Sequence, residues 1–226
     1  MNTDRHGSNS LVEVLDRLEA HYGPQTPGWP TDPYEFIVWW HCGYPASDAA
    51  CAKGWAALHV EIGHEPQALL DASPKELGAA LKAGGMVPEL RALRLKEIAA
   101  RAGELGGSPV RKALKKFPNI ADPGADRILL FAGLEAVAAV PSNCPHVVVR
   151  ILRGKERLDY GRQYREAQGF IESGVPGTVG DRQRAFLLLK QHGQTFCKRV
   201  NPRCGECPVS GECAVYGRGM GGRLGS

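Results

Sequence analysis

No stretch of this sequence is both long and apolar enough to cross a bilayer as a helix, so no membrane partner is expected. The opening residues Met1-Asn2-Thr3-Asp4-Arg5-His6-Gly7-Ser8 lack the basic-then-apolar pattern of a secretory signal, and the expected compartment is the cytoplasm. Strand-like alternation of apolar and polar residues is nearly missing too. Only Val147-Val148-Val149 hints at a strand, and the neighbouring Ile151 and Leu152 suit a buried helix equally well. Nor is there a marked excess of one charge: 28 Lys and Arg against 24 Asp and Glu leave a formal +4. That mildly basic balance is compatible with a polyanionic partner without specifying one. What is present is a chain of 226 residues, 43% hydrophobic, enough for one large domain or two small ones sharing an interface.

Cysteine breaks this pattern of scarcity. Four of the seven crowd into one run, Cys197, Cys204, Cys207 and Cys213, spaced C-x6-C-x2-C-x5-C. Thiolates are soft ligands, and four converging on one point suit an iron-sulfur cluster or a tetrahedral zinc ion. Two disulfides are the rival reading. Metal is favoured because Gly205, Gly211, Pro202 and Pro208 make a tight wrapping loop, and nothing else suggests an oxidising compartment. Ligand chemistry alone leaves zinc and iron-sulfur both open. The other three, Cys42, Cys51 and Cys144, are scattered and read as buried apolar fillers.

The remaining signals are helical. Leu11, Val14, Leu15 and Leu18 recur at helical spacing, with Ser8 or Ser10 as cap and Gly23-Pro24 as stop. A Pro- and Gly-rich linker follows to Thr31, and Asp32-Pro33 then supplies a cap and first-turn proline for a helix over Tyr34 to Trp40. Gly43-Tyr44-Pro45 breaks it, and Ser47 or Asp48 starts another helix through Ile62. Ser73-Pro74 repeats the cap-then-proline signature, and Pro88 does so before Leu90, Leu93, Leu95 and Ile98. A last helix is expected over about Asp181 to His192, ended by Gly193. The Gly-rich tail from Gly217 to Ser226 is expected to be disordered.

In mid-chain, a helix from about Val110 closes at Phe117-Pro118, a short turn follows, and Asp122 is expected to cap a new helix with Pro123 in its first turn. A helix-turn-helix connection is usually only a connection. This one also points backbone N-H groups beside a helix amino terminus, which suits a phosphate.

The cysteine spacing resembles the cluster loop of the endonuclease III family of DNA glycosylases. Phe117-Pro118-Asn119-Ile120-Ala121 stands where that family carries a Leu-Pro-Gly-x-Gly hairpin, so the resemblance extends over most of Pro33 to Cys213. It implies an all-α, two-lobed helix-hairpin-helix fold and a 4Fe-4S cluster on Cys197, Cys204, Cys207 and Cys213. One lobe would span residues 33–140, and the other would be built from 1–32 and 141–226. The implied partner is double-stranded DNA, damaged or mismatched, bound by a nucleoid-associated monomer. Implied DNA contacts are Tyr44, Asn119, Ala121, Gly124, Lys115, Lys116, Arg199 and Arg203. Asn119 adopts the left-handed conformation at modest cost, and Ala121 less readily.

Two departures bear on chemistry. Carried across without gaps, the lysine that gives bifunctional members their lyase activity falls on Pro123, and the shared catalytic aspartate falls on Pro141. Neither proline performs proton or covalent chemistry. Candidate substitutes are Asp48, Asp122, Asp126, Asn143 and His146. Against these stand plain structural roles: caps for Asp48 and Asp122, an exposed helix face for Asp126. Trp39, Trp40 and His41 precede the break at Tyr44, which is expected to be exposed. The leading expectation is a monofunctional base-excision glycosylase with a non-standard active site. Its rivals are a catalytically silent relative that binds distorted or abasic DNA, and a cluster-bearing redox or regulatory module.

Overall fold

The structure is a computed structural model that describes residues 10–106 and 109–216. Among these residues every regular element is helical. The expectation for the Gly-rich tail falls outside them. The chain divides into two compact units, one formed by Pro27–Leu134 and the other by Met1–Thr26 together with Glu135–Ser226.

The central unit contains α2 (Pro33–His41), α3 (Asp48–Glu61), α4 (Pro66–Asp71), α5 (Pro74–Leu81), α6 (Pro88–Ala100), α7 (Arg111–Leu114) and α8 (Asp122–Phe131), after α1 (Leu11–Tyr22) of the other unit. Local chemistry sets the boundaries. The Asp32 carboxylate accepts from Glu35 N at 3.0 Å, and Ser73 and Glu76 form a reciprocal capping box before Pro74. For α3 the cap is Ser47, which accepts from Ala50 N, and Asp48 is the first helical residue. α6 packs on α5, α4 and α2, burying Ala92, Leu95 and Ile98, while Phe36, Ile37, Trp39, Leu58, Leu77, Leu81 and Leu130 close the core. Removing one such leucine to alanine costs about 2–5 kcal/mol.

In the other unit α1 packs on α10 (Tyr160–Gly174) and α11 (Val179–Thr195), and α9 (Pro145–Arg153) packs on the same two helices. Leu11, Val14, Leu15 and Leu18 line one face of α1 and pack with Val147, Val148, Ile151, Tyr164, Ala167, Ile171, Ala185, Leu188 and Leu189. The valine run is therefore helix, because burial on α9 outweighs β-propensity. Gly193 does not end α11, which continues to Thr195. A Cβ on it would lie 2.5 Å from Cys144 Sγ, so this glycine serves close packing rather than termination. α4 and α10 have no counterpart in the sequence reading. Asp159 caps α10 by accepting from Arg162 N at 2.7 Å.

Candidate nucleic-acid interface and iron-sulfur loop

The hairpin in the central unit is a single turn of α7, a run of turns through Phe117, and the amino terminus of α8. Leu114, Phe117 and Ile120 are buried and anchor it, leaving Lys115, Lys116, Asn119, Ala121 and Asp122 exposed and Gly124 half-buried. Asn119 has φ +54°, the left-handed conformation its side chain tolerates. Ala121 is extended, at φ −94° and ψ −172°, so the second glycine position of the related hairpin is not used in a left-handed form here.

Behind the turn lies His41, fully buried on α2. Its Nδ1 sits 2.8 Å from the Ile37 carbonyl and must donate to it, which leaves Nε2 as acceptor toward Asn119 Nδ2 at 3.4 Å. Burial pulls its pKa down to about 4, so the ring is neutral near pH 7. Arg101 supports the entry to the turn: it donates to the Lys116 carbonyl at 3.0 Å and lies over the Phe117 ring at 4.8 Å.

The candidate carboxylates are engaged in ion pairs. Asp48 pairs with Arg127 (Oδ2 to Nη2, 2.8 Å), whose guanidinium lies 3.8 Å over the Trp29 ring. Burial lowers the Arg127 pKa, and Asp48 opposes that shift. Asp126 does not lie on an exposed face. It is 1% exposed and pairs with Arg111, so it holds α7 to α8. Nor does Asp122 cap α8. Ala121 occupies the cap position, and Asp122 pairs with Lys115 at 2.6 Å across the turn. Pro123 sits in the first turn of α8. Tyr44 is half-buried rather than exposed, because its ring stacks on Trp40 at 4.9 Å.

In the terminal unit Pro141 is buried and Asn143 is exposed in the turn before α9. His146 is buried, with Nε2 2.8 Å from the Cys197 carbonyl, and burial lowers its pKa. It braces the cysteine loop as a neutral donor. Arg150, absent from the sequence reading, does more of this. Its guanidinium donates to the Lys198 carbonyl at 2.8 Å and the Arg199 carbonyl at 3.2 Å, and is held by Glu156 at 2.6 Å. The sequence signal for it was a basic side chain in the last turn of an otherwise apolar helix.

Cys197, Cys204, Cys207 and Cys213 all line one cavity of about 380 Å³, closed by Ile151, Phe196 and Pro202 among others. None is disulfide-bonded. Burial pushes the Cys197 thiol up to about 11, so metal binding there would displace a proton. The donor set fits a metal group. Four thiolates around one cavity suit an iron-sulfur cluster or a tetrahedral zinc ion. Arg199 and Arg203 are exposed on the loop; Arg203 lies over the Phe196 ring at 5.0 Å and pairs with Glu206.

Residues 197–213 match the iron-sulfur binding domain of endonuclease III. The chain is 25% identical to a thymine/uracil-DNA glycosylase of Pyrobaculum aerophilum over 67% of its own length and 66% of that protein's. It is also 25% identical to endonuclease III of Thermotoga maritima, over 83% of this chain and 85% of the relative. Its fold is similar to that of endonuclease III solved in a non-covalent complex with DNA, with a TM-score of 0.73 and 18% identity over 97% of this chain and 99% of that one. A helical chain that carries its thiol loop and its hairpin in this order is thus similar to the endonuclease III-like helix-hairpin-helix proteins in its cysteine loop, in sequence at 25% identity and in fold.

Proposed function

We propose that the protein is a DNA glycosylase of base-excision repair, monofunctional, that removes a damaged or mismatched base through a non-standard active site. One observation carries the reading: the hairpin, with Asn119 left-handed and the α8 amino terminus behind it, and the four-thiol loop occur together in one chain. The relatives' names, thymine/uracil-DNA glycosylase and endonuclease III, support it. The partner is double-stranded DNA, bound by a monomer in the cytoplasm at the nucleoid.

In this reading the backbone N-H groups of Asn119, Ala121, Asp122 and Gly124 receive a phosphate at the positive end of α8. Lys115, Lys116, Arg199 and Arg203 add salt-dependent attraction. Tyr44 stacks on an unstacked base. Cys197, Cys204, Cys207 and Cys213 hold a 4Fe-4S cluster, which supplies folding free energy to the loop that presents Arg199 and Arg203. Base release needs negative charge near the sugar as cationic character develops there. Asp48, half-buried and held by Arg127, is the carboxylate assigned to that role. An amine for Schiff-base chemistry is not available at Pro123, so strand cleavage does not accompany base release.

The test is incubation with duplexes bearing uracil, alkylated, oxidised or mismatched bases. Free base released from at least one, with the strand left intact until alkali is added, is the expected result; release from none removes the enzyme claim. A second reading has its own support. Asp48, Asp122 and Asp126 are all ion-paired, and prolines stand at 123 and 141. These features favour a silent relative that binds distorted or abasic DNA, identified by binding without release.

A further inference from the structure

His192 on α11 is 1% exposed and forms part of the wall of the cysteine cavity. Its Nε2 lies 3.6 Å from Cys207 Sγ, and its Nδ1 lies 2.9 Å from the Tyr22 hydroxyl of α1. That hydroxyl is in turn 2.8 Å from Thr195 Oγ1. Thr195, Tyr22, His192 and Cys207 thus form one hydrogen-bonded chain that ends on a sulfur. The Phe196 ring, stacked on the imidazole with centroids 6.1 Å apart, holds the middle link from another side.

The sulfur sets the direction of the hydrogens. A thiolate bound to metal carries no proton, so the hydrogen between Cys207 and His192 must sit on Nε2. A neutral imidazole then offers Nδ1 as an acceptor, the Tyr22 hydroxyl donates to it, and Thr195 donates to the tyrosine oxygen. Thr195 Oγ1 is equally near the Gln191 carbonyl, at 2.8 Å, so its hydroxyl turns between the two acceptors without moving a heavy atom. In the loaded loop every hydrogen of the chain points toward the sulfur, and donors aligned in this way reinforce one another. Arg150 also reaches a cysteine, Cys197 Sγ at 3.8 Å, but its guanidinium already serves Glu156 and the carbonyls of Lys198 and Arg199.

We infer that His192 donates an N-H hydrogen bond to the sulfur of Cys207 and so raises the reduction potential of the iron-sulfur cluster, with Tyr22 as the positioning residue that keeps the ring's donor on that sulfur. This rests on the reading of the cysteine loop as a cluster site. An added electron places negative charge partly on the ligand sulfurs, and a donor aimed at one of them stabilises the reduced form more than the oxidised form. The Tyr22 hydroxyl, by occupying Nδ1, fixes both the tautomer and the orientation of the imidazole. Because that hydroxyl belongs to α1, the potential depends on the docking of a helix from the other end of the sequence.

The experiment is voltammetry of the purified holoprotein without DNA, with iron and sulfide counted for each variant. His192→Phe keeps a ring and removes the donor. It lowers the potential by an amount that corresponds to roughly a tenfold change in the ratio of reduced to oxidised cluster, about 59 mV for one electron. His192→Gln, whose amide still donates, stays closer to the unaltered chain. Tyr22→Phe gives a smaller downward shift, and adding it to His192→Phe shifts the potential no further. Histidine nitrogen hyperfine coupling to the paramagnetic cluster is present in the unaltered chain and gone in His192→Phe, which a role in packing alone does not produce. An unchanged potential in His192→Phe with full iron and sulfide overturns the inference, as does an additive shift in the double variant. If His192→Phe does not hold its cluster, Tyr22→Phe decides alone, and a potential equal to that of the unaltered chain overturns the inference. An unaltered chain purified anaerobically without iron and sulfide overturns the cluster reading and this inference with it; a full cluster whose potential ignores both residues overturns this inference only.

Discussion

Nε2 of His41 accepts the Asn119 side-chain amide at 3.4 Å, while the opposite ring nitrogen donates to Ile37. One neutral imidazole therefore ties α2 to the exposed turn of the hairpin, and protonating it would replace an acceptor by a donor.

The pH dependence follows from burial. His41 titrates at about 4 in the folded chain against 6.5 for a free imidazole, so between those values the unfolded chain binds a proton that the folded chain does not. Stability then rises with pH: the contribution is complete above pH 6.5 and is lost as pH falls toward 4, about 3 kcal/mol in all. Urea unfolding at about pH 7 and about pH 4.5 should show a smaller difference for His41→Gln than for the unaltered chain. Equal differences would remove His41 from the account.

The turn itself can be tested at Asn119. A left-handed backbone costs alanine about 1–2 kcal/mol, and costs glycine nothing sterically. Asn119→Ala should therefore lower the urea midpoint clearly, and Asn119→Gly should lie close to the unaltered protein. Matching losses from both would mean that the side-chain contact to His41, rather than backbone conformation, sets the cost.

Asp48 and Arg127 form a pair in which the cation is almost fully buried. Asp48→Asn strands that charge and should destabilise by about 3–5 kcal/mol, whereas adding Arg127→Leu should recover most of the loss. Denaturation of the two single variants and the double variant measures this coupling. If the double variant regains stability but not base release, Asp48 contributes to the chemistry as well as to the pairing.

Arg150 should govern how firmly the thiol loop keeps its metal. Outer contacts of this kind typically alter metal affinity about 10–100-fold. Arg150→Ala should therefore bind iron during expression but lose its visible absorbance to a chelator faster than the unaltered chain. Cys207→Ser should carry less iron from the start, assayed as iron and sulfide per chain. A protein that holds zinc alone, with no sulfide, would contradict the cluster.

Much of this was readable from residue types whose physics is local. Asp32-Pro33 and Ser73-Pro74 announce helix starts because a side-chain oxygen and a fixed φ act within one turn. Four thiols in one loop declare their shared ligand role without reference to the rest of the fold. Asp126 and Asp122 were misread because their partners, Arg111 and Lys115, come from the preceding side of the turn, and a cap motif cannot reveal a cross-turn ion pair. Arg127 and Arg150 stayed hidden for the same reason: each is explained by acceptors that only tertiary structure brings near. Gly193 looked like a helix stop because its packing partner, Cys144, lies in another segment.

The division of the chain has a consequence for biosynthesis. α1 leaves the ribosome well before the residues it needs: Tyr22 bonds His192, 170 positions later, and Arg184 pairs with Asp16 and Glu19. The central unit, by contrast, is complete in sequence at Leu134. Domains fold as units during synthesis, and closing a long loop delays distant contacts. A nascent chain therefore holds its first helix with the apolar face of Leu11, Val14, Leu15 and Leu18 uncovered until α9, α10 and α11 emerge. During that interval an apolar stripe meant for burial faces water, and transiently uncovered surface of this kind favours aggregation.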